Sequence, residues 1–550
     1  MKRHVEGLVR QALSAAIAAG ELRRPEAPAF AVEVPSDPKF GDLSTNAALV
    51  LARGEGRPPH AIARLLVGHL EAAAPAGWLQ GPPEVAGPGF INFRFAPAFW
   101  QRILADALAS GEAYGRAATG AGRRAQVEFV SANPTGPLTV GHGRNAVIGD
   151  TLARLLAAVG WLVEREYYFN NAGRQMKVLA DSVRARYLEL IGRPAAFPDD
   201  GYQGEYIRDI ARGLVERHGA ALAEDHGTAF RDAAEQSIFA AIRATQERLG
   251  ITFDRYFDED SLYRSGAIQR TLDALEARGL VLRREGAVWL SGAAVGLEQD
   301  RVLVKSSGEP AYRLPDIAYH LDKLARGFDV VIDVLGADHI AEHQEVAAAL
   351  RALGADAARI RPVIYQFVTL TRHGEQVKMS TRRAEYVTLD ELLDEVGVDA
   401  ARFFFLMRKS DSHLEFDLAL AKQQSTDNPV FYVQYAHARI ASVLRQAAEA
   451  GIALAPAPDL SPLGAPEVEV VRAVASWPDV VETAARDLEP HRIAFHALDL
   501  AGAFHRYYNR QRILTEDRTS TQARLALVRA VQQVLRGALG LAGVTAPERM

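Results

Sequence analysis

The stretch Ser131-Ala132-Asn133-Pro134-Thr135-Gly136-Pro137-Leu138-Thr139-Val140-Gly141-His142-Gly143-Arg144-Asn145 joins two unlike patterns. Before it, residues 127–130 form an apolar run that reads as a buried strand. After it, residues 146–159 place apolar side chains at helical spacing. A strand, a tight Gly/Pro loop and a helix make a phosphate-binding corner. The helix N-terminus offers free N–H groups and positive dipole. Gly141 lets a ligand approach the backbone, and His142 has a ring N–H to donate to phosphate oxygen.

Working outward, strand 126–130, helix 146–159 and strand 162–169 follow βαβ logic and predict a parallel sheet. The pattern resumes with a strand at 329–335, a helix at 342–353 and a strand at 361–370. Between the two halves, about 175–290, lies a helical, polar stretch with a turn-rich break at 194–204, expected to be an insertion. Residues 1–110 predict a separate α+β unit, with helices at 5–19, 43–52 and 60–71 and an alternating strand at 90–95. After about 395 the chain turns helical, notably at 400–408 and 430–449. A Pro/Ala-rich linker at 451–466 precedes further helices. The expected architecture is thus α/β, with an α+β unit at 1–110, the parallel-sheet domain at 120–400 and an all-α bundle at 401–550.

Composition narrows the chemistry. The 550 residues include no cysteine, which excludes disulfides, thiolate zinc sites and cysteine nucleophiles. No carboxylate/histidine spacing reads as a metal cage, and no apolar run reads as long enough to span a bilayer. The N-terminus leads into a polar helix rather than a signal peptide, so a cytoplasmic protein with no membrane association is expected. The net charge of −5 does not advertise nucleic-acid binding. Residues 501–536, however, hold seven arginines against Glu516 and Asp517, an excess suited either to a phosphate backbone or to a solvated helix face.

A second chemical signal is Gln376-Val377-Lys378-Met379-Ser380-Thr381-Arg382-Arg383, in a polar loop beyond the last expected strand. A lysine there can neutralise charge building on a leaving pyrophosphate. Paired with the glycine/histidine corner, it suggests an adenylate-forming site.

The pair resembles the His-x-Gly-His and Lys-Met-Ser-Lys signatures of class I aminoacyl-tRNA synthetases. Further blocks are similar to the arginine-specific members: residues 127–134, Gly149-Asp150, residues 165–173, residues 399–403 and residues 428–439. The likeness runs from Phe40-Gly41-Asp42 to the C-terminus, and several blocks in order carry far more weight than either signature alone. It implies a Rossmann-type catalytic domain, a tRNA-elbow-binding N-terminal domain and an anticodon-binding C-terminal bundle. It also implies an enzyme that activates L-arginine with ATP and passes it to the 3′ end of its tRNA. Magnesium would arrive with ATP, and a monomer is expected.

Residue by residue, the resemblance assigns ATP to Thr139, Gly141, His142, Asp338, Lys378, Met379 and Ser380, with His142 and Lys378 catalytic. Arginine falls to Glu128, Ser131, Asn133, Tyr312 and Asp316. A planar cation with five donors needs carboxylates placed for paired hydrogen bonds, which suits Glu128 and Asp316. Tyr312 and Asp316 share a face if the helix starts early enough, but Pro315 sits best in a first turn, leaving Tyr312 either on the helix or just ahead of it. For tRNA the candidates are Phe90 and Asn92 at the elbow, and Tyr432, Tyr435, Arg439 and Arg506 at the anticodon, where unstacked bases are read by stacking. The chain departs from both signatures: Thr139 replaces the first histidine and Thr381 the last lysine. Two other readings share this fold: a synthetase for another amino acid, such as a glutaminyl or cysteinyl enzyme, and an RNA-binding relative without catalysis.

Overall fold

The computed structural model describes residues 1–550 apart from 24, 25, 27, 172 and 378–386. In the N-terminal part, helices Lys2–Ala18, Ala47–Glu55 and Pro59–Ala73 accompany a four-stranded antiparallel sheet. Its spatial order is Val32–Glu33, Leu43–Thr45, Phe90–Phe93, Glu84–Ala86. The helix expected over 43–52 is split. Leu43 and Thr45 are buried on one side with Ser44 between them, the two-residue period of a strand. Asn46 then turns the chain, its Oδ1 accepting the Ala31 N–H at 2.8 Å.

The central domain holds five parallel strands: β1 (Arg124–Glu128), β2 (Leu162–Phe169), β3 (Arg255–Asp258), β4 (Val330–Gly336) and β5 (Ile360–Tyr365). They lie in the order β5-β4-β1-β2-β3. The chain leaves β1 for β2 on one side and reaches β4 on the other. The crevice at the carboxyl ends of β1 and β4 is therefore a topological switch point, where open α/β sheets bind ligands. Three helices frame it: α1 (Val140–Ala158), α2 (Arg313–Ala325) and α3 (Ile340–Ala352).

Helix α1 starts six residues before the apolar spacing suggested. Gly141 and Gly143 weaken the helical signal, yet Gly143 serves the packing of this turn. A Cβ at Gly143 would lie 2.6 Å from Leu389 Cδ1, and one at Gly149 would lie 2.2 Å from Phe129 Cγ. The helix therefore sits directly on the end of β1.

Two further expectations are corrected. Strand β3 lies inside the stretch read as an insertion, after helices Arg174–Leu190, Glu205–His218 and Ala229–Arg248. Its four residues include Arg255 and Asp258 on a sheet edge, so no apolar run announces it. The single strand expected over 361–370 is two: β5, then Val368–Arg372 in a separate three-stranded sheet. The fully buried Arg144 pins the break, donating to the carbonyls of Gln366 (2.6 Å), Lys409 (3.0 Å) and Ser412 (2.9 Å).

The C-terminal part packs α4 (Pro429–Glu449), α5 (Ala465–Asp487), α6 (His491–Arg510) and α7 (Arg518–Ala542). Contrary to the sequence expectation, the 25-residue α7 is long and apolar enough to cross a membrane, but 67% of that window is buried within the bundle. Its apolar residues are the bundle's core.

Candidate active site

The chain makes its sharpest turn just past β1. Val130 has φ 65° and Ser131 φ 41°, and the Ser131 N–H donates to Phe129 O at 3.0 Å. A β-branched residue at positive φ is a strained conformation that its surroundings must hold. Asn145, buried on α1, holds it. Its Oδ1 accepts the Val130 N–H (2.7 Å) while its Nδ2 donates to Val334 O on β4 (2.9 Å). One amide thus ties together the ends of both strands flanking the crevice.

At the start of α1, the Thr139 N–H donates to His142 Nδ1 at 3.1 Å. That bond leaves the ring proton on Nε2, free to donate. Burial lowers the His142 pKa to about 4, so the ring is neutral at pH 7. The corner therefore offers a neutral donor and a helix N-terminus rather than an imidazolium. Thr139 Oγ1 lies 3.1 Å from the same nitrogen, so Thr139 caps the helix and orients His142. A Cβ on Gly141 would meet only Thr139 Oγ1, at 3.7 Å, so packing against the protein does not demand a glycine there.

A cleft of about 530 Å³ runs from this corner, and Glu128, Ser131, Asn133, His142, Tyr312 and Asp316 all line it. Tyr312 is 62% exposed at the mouth and precedes α2, whose first turn holds Pro315 and Asp316. The proline's missing N–H costs nothing in that position. Burial, then the Glu342 carboxylate, pushes Asp316 up to about 7. Glu259, just beyond β3, also lines the cleft, and burial raises it to about 7.

Glu128 stands differently. Its Oε1 accepts the Ser131 hydroxyl at 2.8 Å, and its Oε2 accepts from the wholly buried Lys323 ammonium. Lys323 also donates to Asp333 at 2.7 Å. Burial works against the Lys323 charge, but Asp333 and Glu128 outweigh it and keep the group protonated. His320 Nδ1 faces Asp316 O (2.8 Å) and Nε2 faces Asp333 Oδ2 (3.0 Å). Both neighbours are acceptors, so both ring nitrogens carry protons. The result is a neutralised layer beneath the cleft, with Asp316 and Glu259 left as its uncompensated carboxyls.

His320, Asp333 and His343 also bring ligand-type atoms within 4.8 Å of one another, a grouping not anticipated from sequence because it spans three elements. Asp333 is already shared by Lys323 and His320, so the group reads as part of this charge network. Asp338 is exposed in the turn after β4; its neighbours Gly336 and His339 line the cleft.

Lys378, Met379, Ser380 and Thr381 lie outside the described residues. The chain that carries them re-enters at Val387, and Thr388 then bridges Thr139 while the Leu389 N–H donates to Leu138 O at 2.8 Å. Thr388 and Leu389, beyond the second signal, are therefore anchored on the phosphate corner.

Away from the cleft, α4 and α6 share an aromatic face. Tyr432 and Tyr435 lie 4.6 and 5.7 Å from the His505 ring. The Arg439 guanidinium lies 3.9 Å from the Tyr508 ring centre and 5.6 Å from that of Tyr435. Arg506 is exposed and pairs with Glu469 at 3.0 Å. In the N-terminal sheet Phe90 is exposed, but Asn92 is buried between Ser44 and Glu84 and so is withdrawn from the surface.

Residues 103–413 match the family model "tRNA synthetases class I (R), catalytic domain". An arginine–tRNA ligase of Desulfotalea psychrophila is 51% identical over 95% of this chain and 95% of its own. The chain belongs to the arginyl-tRNA synthetase family. Residues 3–95 match the arginyl-tRNA synthetase N-terminal domain, and 433–550 the DALR anticodon-binding domain. The arginine–tRNA ligase of Chlorobaculum tepidum is 49% identical over 94% of this chain and 96% of its own. The solved Thermus thermophilus arginyl-tRNA synthetase aligns over the full length of both chains with a TM-score of 0.76 and 26% identity. This synthetase thus carries the class I catalytic fold, with its crevice at the carboxyl ends of β1 and β4.

Three residues of the site escaped sequence reading. Glu259 follows a strand too short to show, and Lys323 reads as an ordinary helix lysine. Asn145 stood in the opening stretch with no visible partner. The last did carry a signal: a polar residue one helical turn past His142 on a helix otherwise buried there.

Proposed function

We propose that the cleft is where this arginine–tRNA ligase joins L-arginine to ATP and then to its tRNA. The arginine carboxylate attacks the α-phosphate, forming arginyl-adenylate and releasing pyrophosphate. The terminal ribose hydroxyl of the tRNA then attacks the adenylate carbonyl and AMP leaves. Positioning and charge stabilisation drive both steps, so no side-chain nucleophile is needed.

Asp316 and Glu259 face the substrate guanidinium, and Tyr312 closes the mouth over it. Glu128, with Ser131 and Asn133, holds the amino and carboxylate end. His142 donates from Nε2 to the phosphates over Gly141, and Lys378, with Met379 and Ser380, meets the pyrophosphate. Asp338 serves the ATP side, and magnesium comes with the nucleotide, keeping most of its waters. The aromatic face with Arg439 and Arg506 receives the anticodon, and Phe90 the tRNA elbow. The enzyme acts as a cytoplasmic monomer.

One observation carries this reading: two uncompensated carboxyls share a cleft with a neutral histidine at a helix N-terminus. Such a cleft suits a cation at one end and phosphate at the other. Arginine-dependent ATP–pyrophosphate exchange, with and without tRNA, tests it. No exchange in the presence of intact tRNA overturns catalysis, and exchange driven by another amino acid overturns the assignment to arginine. Lys378→Ala should slow exchange without unfolding the protein; an unchanged rate removes Lys378 from the site.

A further inference from the structure

Near the end of α2, beneath the cleft, Lys323 is wholly buried and lines no part of the cleft itself. Its ammonium donates to Glu128 Oε2 at the end of β1 and to Asp333 Oδ1 on β4, the latter at 2.7 Å. The Tyr319 ring centre lies 4.3 Å from it, and the Tyr319 hydroxyl is tied to Glu166 on β2 at 2.5 Å. The ammonium therefore has one fixed place between two strands. Asp333 also meets His320 at 3.0 Å, so two cations share it and Glu128 supplies the balancing charge.

Glu128 is clamped at both oxygens, by Lys323 and by the Ser131 hydroxyl of the positive-φ turn. A carboxylate has about four lone-pair sites, so two bonds leave it able to accept from a substrate. Asp316 and Glu259 stand in the same cleft, and no ion pair reaches either among the described residues. Arginine carries a cation at each end, so a cleft with three carboxyls must tell the two ends apart. The guanidinium, whose donors form a planar fork, is drawn to the uncompensated carboxyls. Glu128, its charge already met, suits the α-ammonium.

We propose that Lys323 is a positioning residue: by clamping and neutralising Glu128 it reserves that carboxylate for the α-ammonium of arginine and leaves the guanidinium to Asp316 and Glu259. It acts through Glu128 and touches no substrate atom. The proposal rests on the assignment of Glu128 to the amino end made above.

Calorimetry on the full chain with L-arginine and with 5-guanidinopentanoate, the same molecule without its amino group, tests this. The ratio of the two dissociation constants reads the ammonium contact alone. The parent should bind arginine more tightly by about tenfold or more, as a hydrogen bond to a charged group implies. Lys323→Met should bring the ratio below about threefold. A general loosening of the site would weaken both ligands alike and leave the ratio unchanged. Lys323→Met alone sets two buried carboxylates against one cation, which is destabilising. Lys323→Met with Asp333→Asn keeps the layer's charge balanced and should lower the ratio in the same way. Glu128→Gln should lower it too. If Glu128→Gln lowers the ratio and the Lys323 variants that fold do not, the role of Lys323 is overturned while the assignment of Glu128 stands. If Glu128→Gln leaves the ratio unchanged, that assignment fails and the proposal falls with it.

Discussion

Asn145 spends both halves of its amide on strand ends, which makes it the residue on which the crevice geometry turns. Without it, the buried Val130 N–H loses its acceptor at a cost of about 1–3 kcal/mol. The positive-φ turn, itself holding roughly 1–3 kcal/mol of strain, is then free to relax. Asn145→Ala should cut the exchange rate at least tenfold while the protein stays folded at assay temperature, its melting point falling by a few degrees. A rate within twofold of the parent in a folded protein would remove Asn145 from this role. Asp316 and Glu259 make a pH prediction. In the empty cleft each sits near 7, raised from 3.8 and 4.5. A guanidinium needs them ionised, so arginine binding releases protons, and affinity should climb with pH up to about 7 and level off above it. Stability runs the other way. A carboxyl raised in the folded state favours folding below its unfolded pKa, and that advantage is lost as pH rises through about 7. Arginine should therefore raise the melting temperature most above pH 7, which thermal scans at pH 5.5 and 8.5 will check; an equal shift at both would count against these carboxyls as its partners.

Among the elements, what could be read from the sequence followed from apolar periodicity. β2 appears at the expected residues, β4 and α4 lie close to theirs, and α1 ends close to where it should, because each is a long element. The misses have separate causes, none of which shows in apolar periodicity. The first turn of α1 is capped by its own histidine, β3 is paired only along one edge, and the break after β5 is held by Arg144 from another helix. In the site, residue types matching a motif could be read, whereas Glu259 and Lys323 became visible only when the sheet brought them to the cleft. The close seat of α1 on β1 gives a test at this scale. Gly149→Ala puts a methyl 2.2 Å from Phe129 Cγ, and neither the ring nor the helix has room to yield. Overpacking of this kind costs about 1–3 kcal/mol. The variant should unfold at lower urea with an unchanged slope, and exchange should drop as His142 moves with its helix. Full stability would mean that α1 sits less tightly than its glycines imply.

For the whole molecule, the chain is acidic, yet its partner is a polyanion, so where the positive charge sits matters more than its total. Of the arginines at 501–536, Arg506 and Arg510 lie on α6, which carries part of the aromatic face that α4 and α6 share. Part of that aromatic content is core: Phe504 and Tyr507 are buried, and Tyr507 donates to the buried Glu467 at 3.1 Å. Tyr435, Tyr508 and Arg439 are the part left at the surface, with the guanidinium already laid over two rings. Such a platform offers stacking and charge together, worth about 1–3 kcal/mol per base. Arg439→Ala should therefore raise the KM for tRNA by roughly tenfold, corresponding to about 1.4 kcal/mol. Its effect should shrink as salt rises, because part of the loss is electrostatic. The KM for arginine, measured at saturating tRNA, should not move, since the platform and the cleft share no side chain. A rise in the arginine KM of the same size would instead mean that the bundle's aromatic face and the catalytic crevice act as one unit, coupled through the helices packed between them.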